Sequence, residues 1–119
     1  MYIAPENPSE ETVICESNMK YMYWSIFQQL AHHTINGCNM RTGDLCGTGT
    51  LSGSTKESYG SLLELSWNGT EPKVLNKEKN ITRTFLEDYD RISLSGVCKG
   101  PDYAIAFGSC SGQIIPAIL

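Results

Sequence analysis

Four glycines fall within eleven positions of the segment Met40-Arg-Thr-Gly-Asp-Leu-Cys-Gly-Thr-Gly-Thr-Leu-Ser-Gly53, at Gly43, Gly47, Gly49 and Gly53. Glycine lets a backbone turn tightly and pass close to another group. Thr50 lies among them. Its hydroxyl or backbone N–H suits a substrate carboxylate or carbonyl, with Gly47 and Gly49 permitting close approach. Read locally, it is also an ordinary strand threonine between turn glycines. Just beyond, Ser61-Leu-Leu-Glu-Leu-Ser-Trp67 carries a carboxylate, Glu64, inside a run of apolar and small residues. An ionised carboxylate withdrawn from water is costly unless a partner answers it. Read as a strand, the segment alternates: Leu62, Glu64 and Ser66 take one face, and Leu63, Leu65 and Trp67 the other. Glu64 then points away from the bulkiest side chains, towards a cavity or a partner. The competing reading, a strand glutamate on a solvated face, is favoured by the local pattern alone.

Other groups capable of chemistry read more simply. His32 and His33 are adjacent on a helix, face different sides and cannot readily chelate one ion together. In a last helical turn they complement the helix C-terminus. Asp44 after Gly43 reads as a turn residue. Glu87, Asp88 and Asp90 lack the spacing and the closing Glu of a calcium loop and read as a solvated acidic turn. The five cysteines (Cys15, Cys38, Cys46, Cys98, Cys110) are odd in number and contain no C-x-x-C pair. They read as reduced, mostly buried thiols of a cytosolic protein rather than a disulfide framework or zinc site. Two N-x-[ST] sequons, at Asn68 and Asn80, read as chance occurrences outside a secreted context.

The elements that must position these groups begin with a polar, proline-broken loop over residues 5–12 and a short strand end at Thr12–Cys15. With Ser17 or Asn18 as N-cap, a long helix is expected from Met19 to His33, ending before Gly37. Met19, Met22, Tyr23, Ile26 and Leu30 form one of its faces, and Tyr21, Trp24 and Phe27 a second. A helix apolar on two sides calls for burial on both. Strands are expected over Leu45–Ser52, Leu62–Trp67, Ile81–Leu86, Arg91–Cys98 and Tyr103–Gly108, and a strand or turn near Val74–Leu75. Turns fall at Asn68-Gly69 and Lys99-Gly-Pro-Asp102, and the apolar tail from Gly112 to Leu119 should pack against something. This pattern predicts an α+β, mostly β fold: one long N-terminal helix packed on largely antiparallel strands.

At 119 residues the chain is one domain at most, and its composition is ordinary: 40% hydrophobic, 18% charged, net charge −4. Nine scattered basic residues argue against nucleic-acid or anionic-membrane partners, which need clustered Lys and Arg. No stretch approaches the ~20 apolar residues of a membrane helix. The first residues lack the basic and apolar regions of a secretory signal. A cytoplasmic location is expected.

From Val13 to Leu119 the chain resembles the C-terminal part of the fumarylacetoacetase family. The resemblance is carried by Gly43-Asp44, Gly49-Thr50, Gly53 and Leu63-Glu-Leu-Ser-Trp67, with Ser17-Asn18, Lys20-Tyr-Met-Tyr-Trp24, His32-His33, Asn36-Gly-Cys-Asn39 and Ile115-Pro-Ala117 in support. It implies a portion of that family's mixed β-roll over residues 1–119, with the upstream part of the catalytic domain absent. It also implies hydrolysis of the carbon–carbon bond of 4-fumarylacetoacetate, with Mg²⁺ and/or Ca²⁺, in a homodimer. On the same ground Thr50 becomes a substrate contact and Glu64 the carboxylate that partners a catalytic histidine. That histidine and the acidic metal ligands lie upstream in the family, so no metal ligand is expected here. A catalytically inactive structural or oligomerisation module is the alternative. A related acylpyruvase-type hydrolase is disfavoured by the Lys20–Trp24 and Leu63–Trp67 matches.

Overall fold

Residues 1–5 and 11–118 are described by the structure, a computed structural model. Its longest elements are β5 (Arg91–Lys99) and β6 (Ala104–Gln113), antiparallel from Arg91 opposite Gln113 to Lys99 opposite Ala104. The expected Lys99–Asp102 turn joins them, closed by Gly100 N–H donating to Tyr103 O at 2.8 Å. The register shifts between Ser95 and Val97, across from Gly108 at φ +77°. A positive φ at this point suits glycine and marks a bulge. Strand β1 (Tyr2–Ala4) pairs with the first three residues of β5, and β2 (Thr12–Val13) pairs with β1, giving a sheet of order β2-β1-β5-β6. A separate antiparallel pair is formed by β3 (Lys73–Asn76) and β4 (Ile81–Arg83).

The core sits where these two sheets meet. Ile3, Ile14 and Leu75 are buried together, with Met1, Leu62, Leu65, Ile81 and Leu86 packed around them. Thr12 Oγ1 donates across the junction to Leu75 O at 2.9 Å. The ammonium of Met1 donates to Cys15 O at 2.8 Å, so the start of β1 is tied to the end of β2.

Several expectations are corrected. The long helix from Met19 to His33 is absent. A 3₁₀ turn, Met19–Tyr21, is capped by Asn18 Oδ1, which accepts from Lys20 N–H at 2.9 Å. The chain then extends, and α1 runs only from Ile26 to Thr34. The reason is local: Ser25 and Gln28 form a reciprocal capping box, with Ser25 N–H donating to Gln28 Oε1 at 2.9 Å and Gln28 N–H to Ser25 Oγ at 3.3 Å. A capping box starts a helix where it stands. Helix α1 buries none of its residues, and Phe27 is 85% exposed. No strand forms over Leu45–Ser52, and Leu62–Leu65 is a helix, α2, rather than a strand. Ile81–Leu86 shortens to Ile81–Arg83. Only Cys15 of the five cysteines is buried, against the expected mostly buried set. Ile115 and Ile118 in the tail are exposed. The loop expected over residues 5–12 falls largely on residues 6–10, which lie outside the described residues, as does Leu119.

The molecule exposes 9397 Å², where a compact monomer of this size exposes about 6,400 Å². Its radius of gyration is 16.9 Å against about 13–14 Å for a compact domain. The excess is apolar in part: Tyr23, Trp24, Ile26 and Phe27 around α1, and Leu94, Val97, Ile105 and Phe107 on the β5–β6 hairpin.

The acidic turn is also corrected. Glu87 and Asp88 are exposed, but Asp90 is 1% exposed. Arg83 grips it with two parallel bonds, Nε to Oδ2 at 2.9 Å and Nη2 to Oδ1 at 3.0 Å, and Glu87 N–H adds a third at 2.9 Å. Such a bidentate pair joins charge to fixed geometry. Asp90 O accepts from Ile114 N–H at 2.9 Å, and Tyr89 N–H donates to Ile114 O at 2.8 Å, so the pair anchors the end of β6. Removing one partner of a buried pair costs about 3–5 kcal/mol. For Asp90→Ala we expect about 3 kcal/mol, because the Glu87 carboxylate, 3.3 Å from Arg83, still answers the guanidinium. Urea unfolding measures this; a loss below about 1 kcal/mol, the scale of an exposed pair, would contradict it.

Candidate functional site

The segment around Glu64 is built by its own caps. Ser61 stands at the N-cap of α2, and its Oγ accepts from Glu64 N–H at 3.3 Å. The spacing Ser61-x-x-Glu64 is a helix-start signature, and it outweighs the strand-like alternation. Leu62 and Leu65, three apart, share one helical face and pack on the core. At the far end Trp67 N–H donates to Glu64 O at 3.2 Å and Asn68 N–H to Leu63 O at 2.8 Å. This bond pair is a Schellman cap. Trp67, Asn68 and Gly69 all adopt positive φ, at 45°, 56° and 83°. Asn68-Gly69 thus belongs to a helix terminus rather than a turn between two strands. Ser66, fully buried, donates to Leu62 O at 2.7 Å and accepts from Gly69 N–H at 3.0 Å.

Glu64 is partly buried, and its partners are hydroxyls. Ser52 Oγ lies 2.7 Å from each carboxylate oxygen, and Ser61 Oγ donates to Oε2 at 2.9 Å. Ser52 Oγ in turn accepts from Gly60 N–H at 3.1 Å. Neither serine stood out in the sequence as a site residue. The Ser61-x-x-Glu64 spacing could have found Ser61; Ser52 bonds across twelve positions and leaves no local signal.

The glycines act at other places than expected. Nothing approaches the positions a Cβ would take at Gly47 or Gly49, and Gly49 serves through its φ of +76°. The close approach comes at Gly53 and Gly60. A Cβ on Gly60 would lie 2.6 Å from Leu51 O and 2.7 Å from Thr50 Cγ2, and one on Gly53 would meet Ser58 Oγ at 2.5 Å. Gly53 N–H donates to Ser58 O at 2.9 Å. Residues 50–53 therefore close onto residues 58–60, which sets exposed Thr50 against Gly60 and Ser52 against Glu64.

Elsewhere, Asp44 is the turn residue expected: its Oδ2 accepts from Arg41 N–H at 2.8 Å, and Asp44 N–H donates to Arg41 O at 3.1 Å. His32 and His33 are exposed in the last turn of α1, with His33 Nε2 3.4 Å from Cys38 Sγ. Among the described residues no three His, Cys, Asp or Glu side chains are placed to hold a metal ion. Among them, too, no helix is long and apolar enough to cross a membrane.

The sequence profile described as "Fumarylacetoacetate (FAA) hydrolase C-terminal" matches residues 9–114. This chain belongs to the fumarylacetoacetate hydrolase family. It is 54% identical to the fumarylacetoacetase of Arabidopsis thaliana over 115 residues, covering 97% of this chain and 27% of that protein. Against that of Dictyostelium discoideum it is 59% identical over 104 residues, covering 87% of this chain and 24% of the relative. Against that of Homo sapiens it is 51% identical over 114 residues, covering 96% and 27%. The chain thus spans about a quarter of the length of these relatives. The family match takes in Thr50, Ser52, Ser61 and Glu64 together.

Cys15 reports on the electrostatics of this region. Burial pushes its thiol above the ordinary 9.0; the N-terminal ammonium pulls it down, Glu64 pushes it up and Lys73 pulls it down. The neutral thiol is therefore the form the fold favours. As pH rises past about 9 the unfolded chain ionises first, binds fewer protons than the folded one, and stability falls. Alkylation by iodoacetamide at pH 8, followed by mass spectrometry, should modify the exposed Cys38, Cys46, Cys98 and Cys110 well before Cys15, since the thiolate is the reactive form. Equal labelling of Cys15 would show that the β2 end is open to solvent.

Proposed function

We propose that this chain is the part of a fumarylacetoacetase that contributes Glu64 and Thr50 to an active site completed by residues outside these 119. The reaction is hydrolysis of 4-fumarylacetoacetate to fumarate and acetoacetate, a step of tyrosine and phenylalanine breakdown. The observation that carries this reading is the hydroxyl-held carboxylate of Glu64 inside the family-matched segment.

In this reading the oxygen of water bonds to the substrate carbonyl carbon. The adjacent carbon–carbon bond then breaks, its electron pair leaving with the acetoacetate fragment as an enolate that takes up a proton. A histidine outside this chain removes the proton from water, a contribution of about 10²–10⁴-fold. Glu64 accepts the imidazole N–H, holds one tautomer and stabilises the imidazolium that forms. Thr50, exposed on the closed-up loop, contacts the substrate. The Mg²⁺ or Ca²⁺ that the resemblance implies belongs with residues outside this chain.

The exposed apolar residues of α1 and of the β5–β6 hairpin support a covered state in the complete protein, against its upstream part and the second subunit of a homodimer. They equally favour the second reading, a module that folds or oligomerises without turning over substrate. Five unpaired cysteines suit a reducing compartment, and we place the protein in the cytoplasm on that ground, without nucleic-acid or membrane partners.

The test is Glu64→Gln in the chain joined to the upstream portion of a relative. Loss of the base-orienting carboxylate is expected to lower kcat by about 10²–10⁴-fold with little change in KM. Full activity of the Gln variant would remove Glu64 from the mechanism.

A further inference from the structure

We propose that Ser52 is a positioning residue for Glu64, and that it leaves Oε1 as the oxygen open to the histidine. This rests on the role of Glu64 proposed above. A serine hydroxyl has one proton to give and two lone pairs to receive with. At Ser52 the backbone settles the direction, because Gly60 N–H donates into Oγ at 3.1 Å. The hydroxyl proton is thereby left for the carboxylate, with Oγ 2.7 Å from each of its oxygens. Ser61 is arranged the same way, receiving Glu64 N–H at 3.3 Å and donating to Oε2 at 2.9 Å. Each serine accepts a backbone N–H and passes a proton contact to the same carboxylate.

A carboxylate offers about four acceptor directions. Oε2 lies within hydrogen-bond reach of both serine hydroxyls and Oε1 of Ser52's alone, the single Ser52 proton being shared between the two oxygens. The unfilled direction is on Oε1, and that oxygen is the one left for an imidazole N–H. Ser61 is accounted for by the helix it caps. Ser52 caps nothing: it lies in the loop ahead of Gly53, and its carboxylate bonds span twelve positions. Gly60 is what allows this, since a Cβ there would strike Leu51 O and Thr50 Cγ2 and hold the loop away. A contact that no element requires, made to the one carboxylate of the site, is explained by orientation of that carboxylate.

The experiment joins this chain to the upstream part of the Arabidopsis relative and compares Ser52→Ala, Ser52→Thr, Glu64→Gln and the Ser52→Ala/Glu64→Gln double variant. Hydrogen-bond partners that orient metal ligands are worth about 10–100-fold, and on that scale Ser52→Ala should lower kcat by about 10-fold or more with KM little changed. Ser52→Thr, which keeps the hydroxyl, should restore most of it. In the Glu64→Gln background Ser52→Ala should cost less than about 2-fold, since residues acting as a unit are not additive. The same fold-loss in both backgrounds overturns the proposal, because a structural defect would be felt regardless of Glu64. Wild-type activity of Glu64→Gln fails the reading of Glu64 instead. The same set is also unfolded in urea as the 119-residue chain, which needs no activity. Non-additivity of Ser52→Ala and Glu64→Gln there supports the contact, and strict additivity overturns it.

Discussion

A carboxylate drawn part-way out of water has to be met by donors, and meeting that demand at Glu64 organises the chain from Ser52 to Gly69. The helix α2 has only four residues, too few to persist on propensity. It stands because Ser61 caps one end, a Schellman pair closes the other, and Leu62 and Leu65 fasten it to the core. The glycines at 53 and 60 let a loop come near enough for Ser52 to finish the shell. Local capping, tertiary closure and apolar anchoring thus converge on one side chain.

The same economy leaves the rest of the molecule open. Among the described residues three side chains, Ile3, Ile14 and Leu75, make up the buried cluster, whereas the hairpin and α1 hold much of their apolar surface in solvent. Burial is worth roughly 25 cal/mol per Å², so surface of this kind is a strong drive towards association. The chain spans about a quarter of the length of the relatives it matches. The buried Arg83–Asp90 pair compensates locally, fixing the end of β6 where packing is thin.

The strands β5 and β6 and the Lys99–Asp102 turn were legible from alternation and turn residues, as was the Asp44 turn, whereas β3 was legible only as a strand or turn near Val74–Leu75. Glu64 was legible as a candidate mainly through the family resemblance, the local pattern alone favouring a solvated face. Its surroundings were not, because Ser61-Leu-Leu-Glu64 fits both a strand alternation and a helix-start spacing, and the cap at Ser61 together with the packing of Leu62 and Leu65 on the core selects the helix. Ser52 was out of reach for a different reason: a hydroxyl twelve residues away carries no periodicity. The helix from Met19 was overextended because the two apolar faces masked the second cap at Ser25. Asp90 looked solvated because its partner, Arg83, approaches from another strand. Gly60 lies outside the glycine-rich run, so its close approach to Leu51 O and Thr50 Cγ2 had no signal in that run.

In the function proposed above, Glu64 works only in a site that other residues complete. Fumarylacetoacetate hydrolysis with added Mg²⁺ or Ca²⁺ measures it directly, on the 119-residue chain alone and on the chain extended by the upstream part of a relative. Turnover in the extended protein and none in the short chain is the predicted result. Turnover by the short chain itself would contradict it, and would place the base and the ion among residues such as His32 and His33.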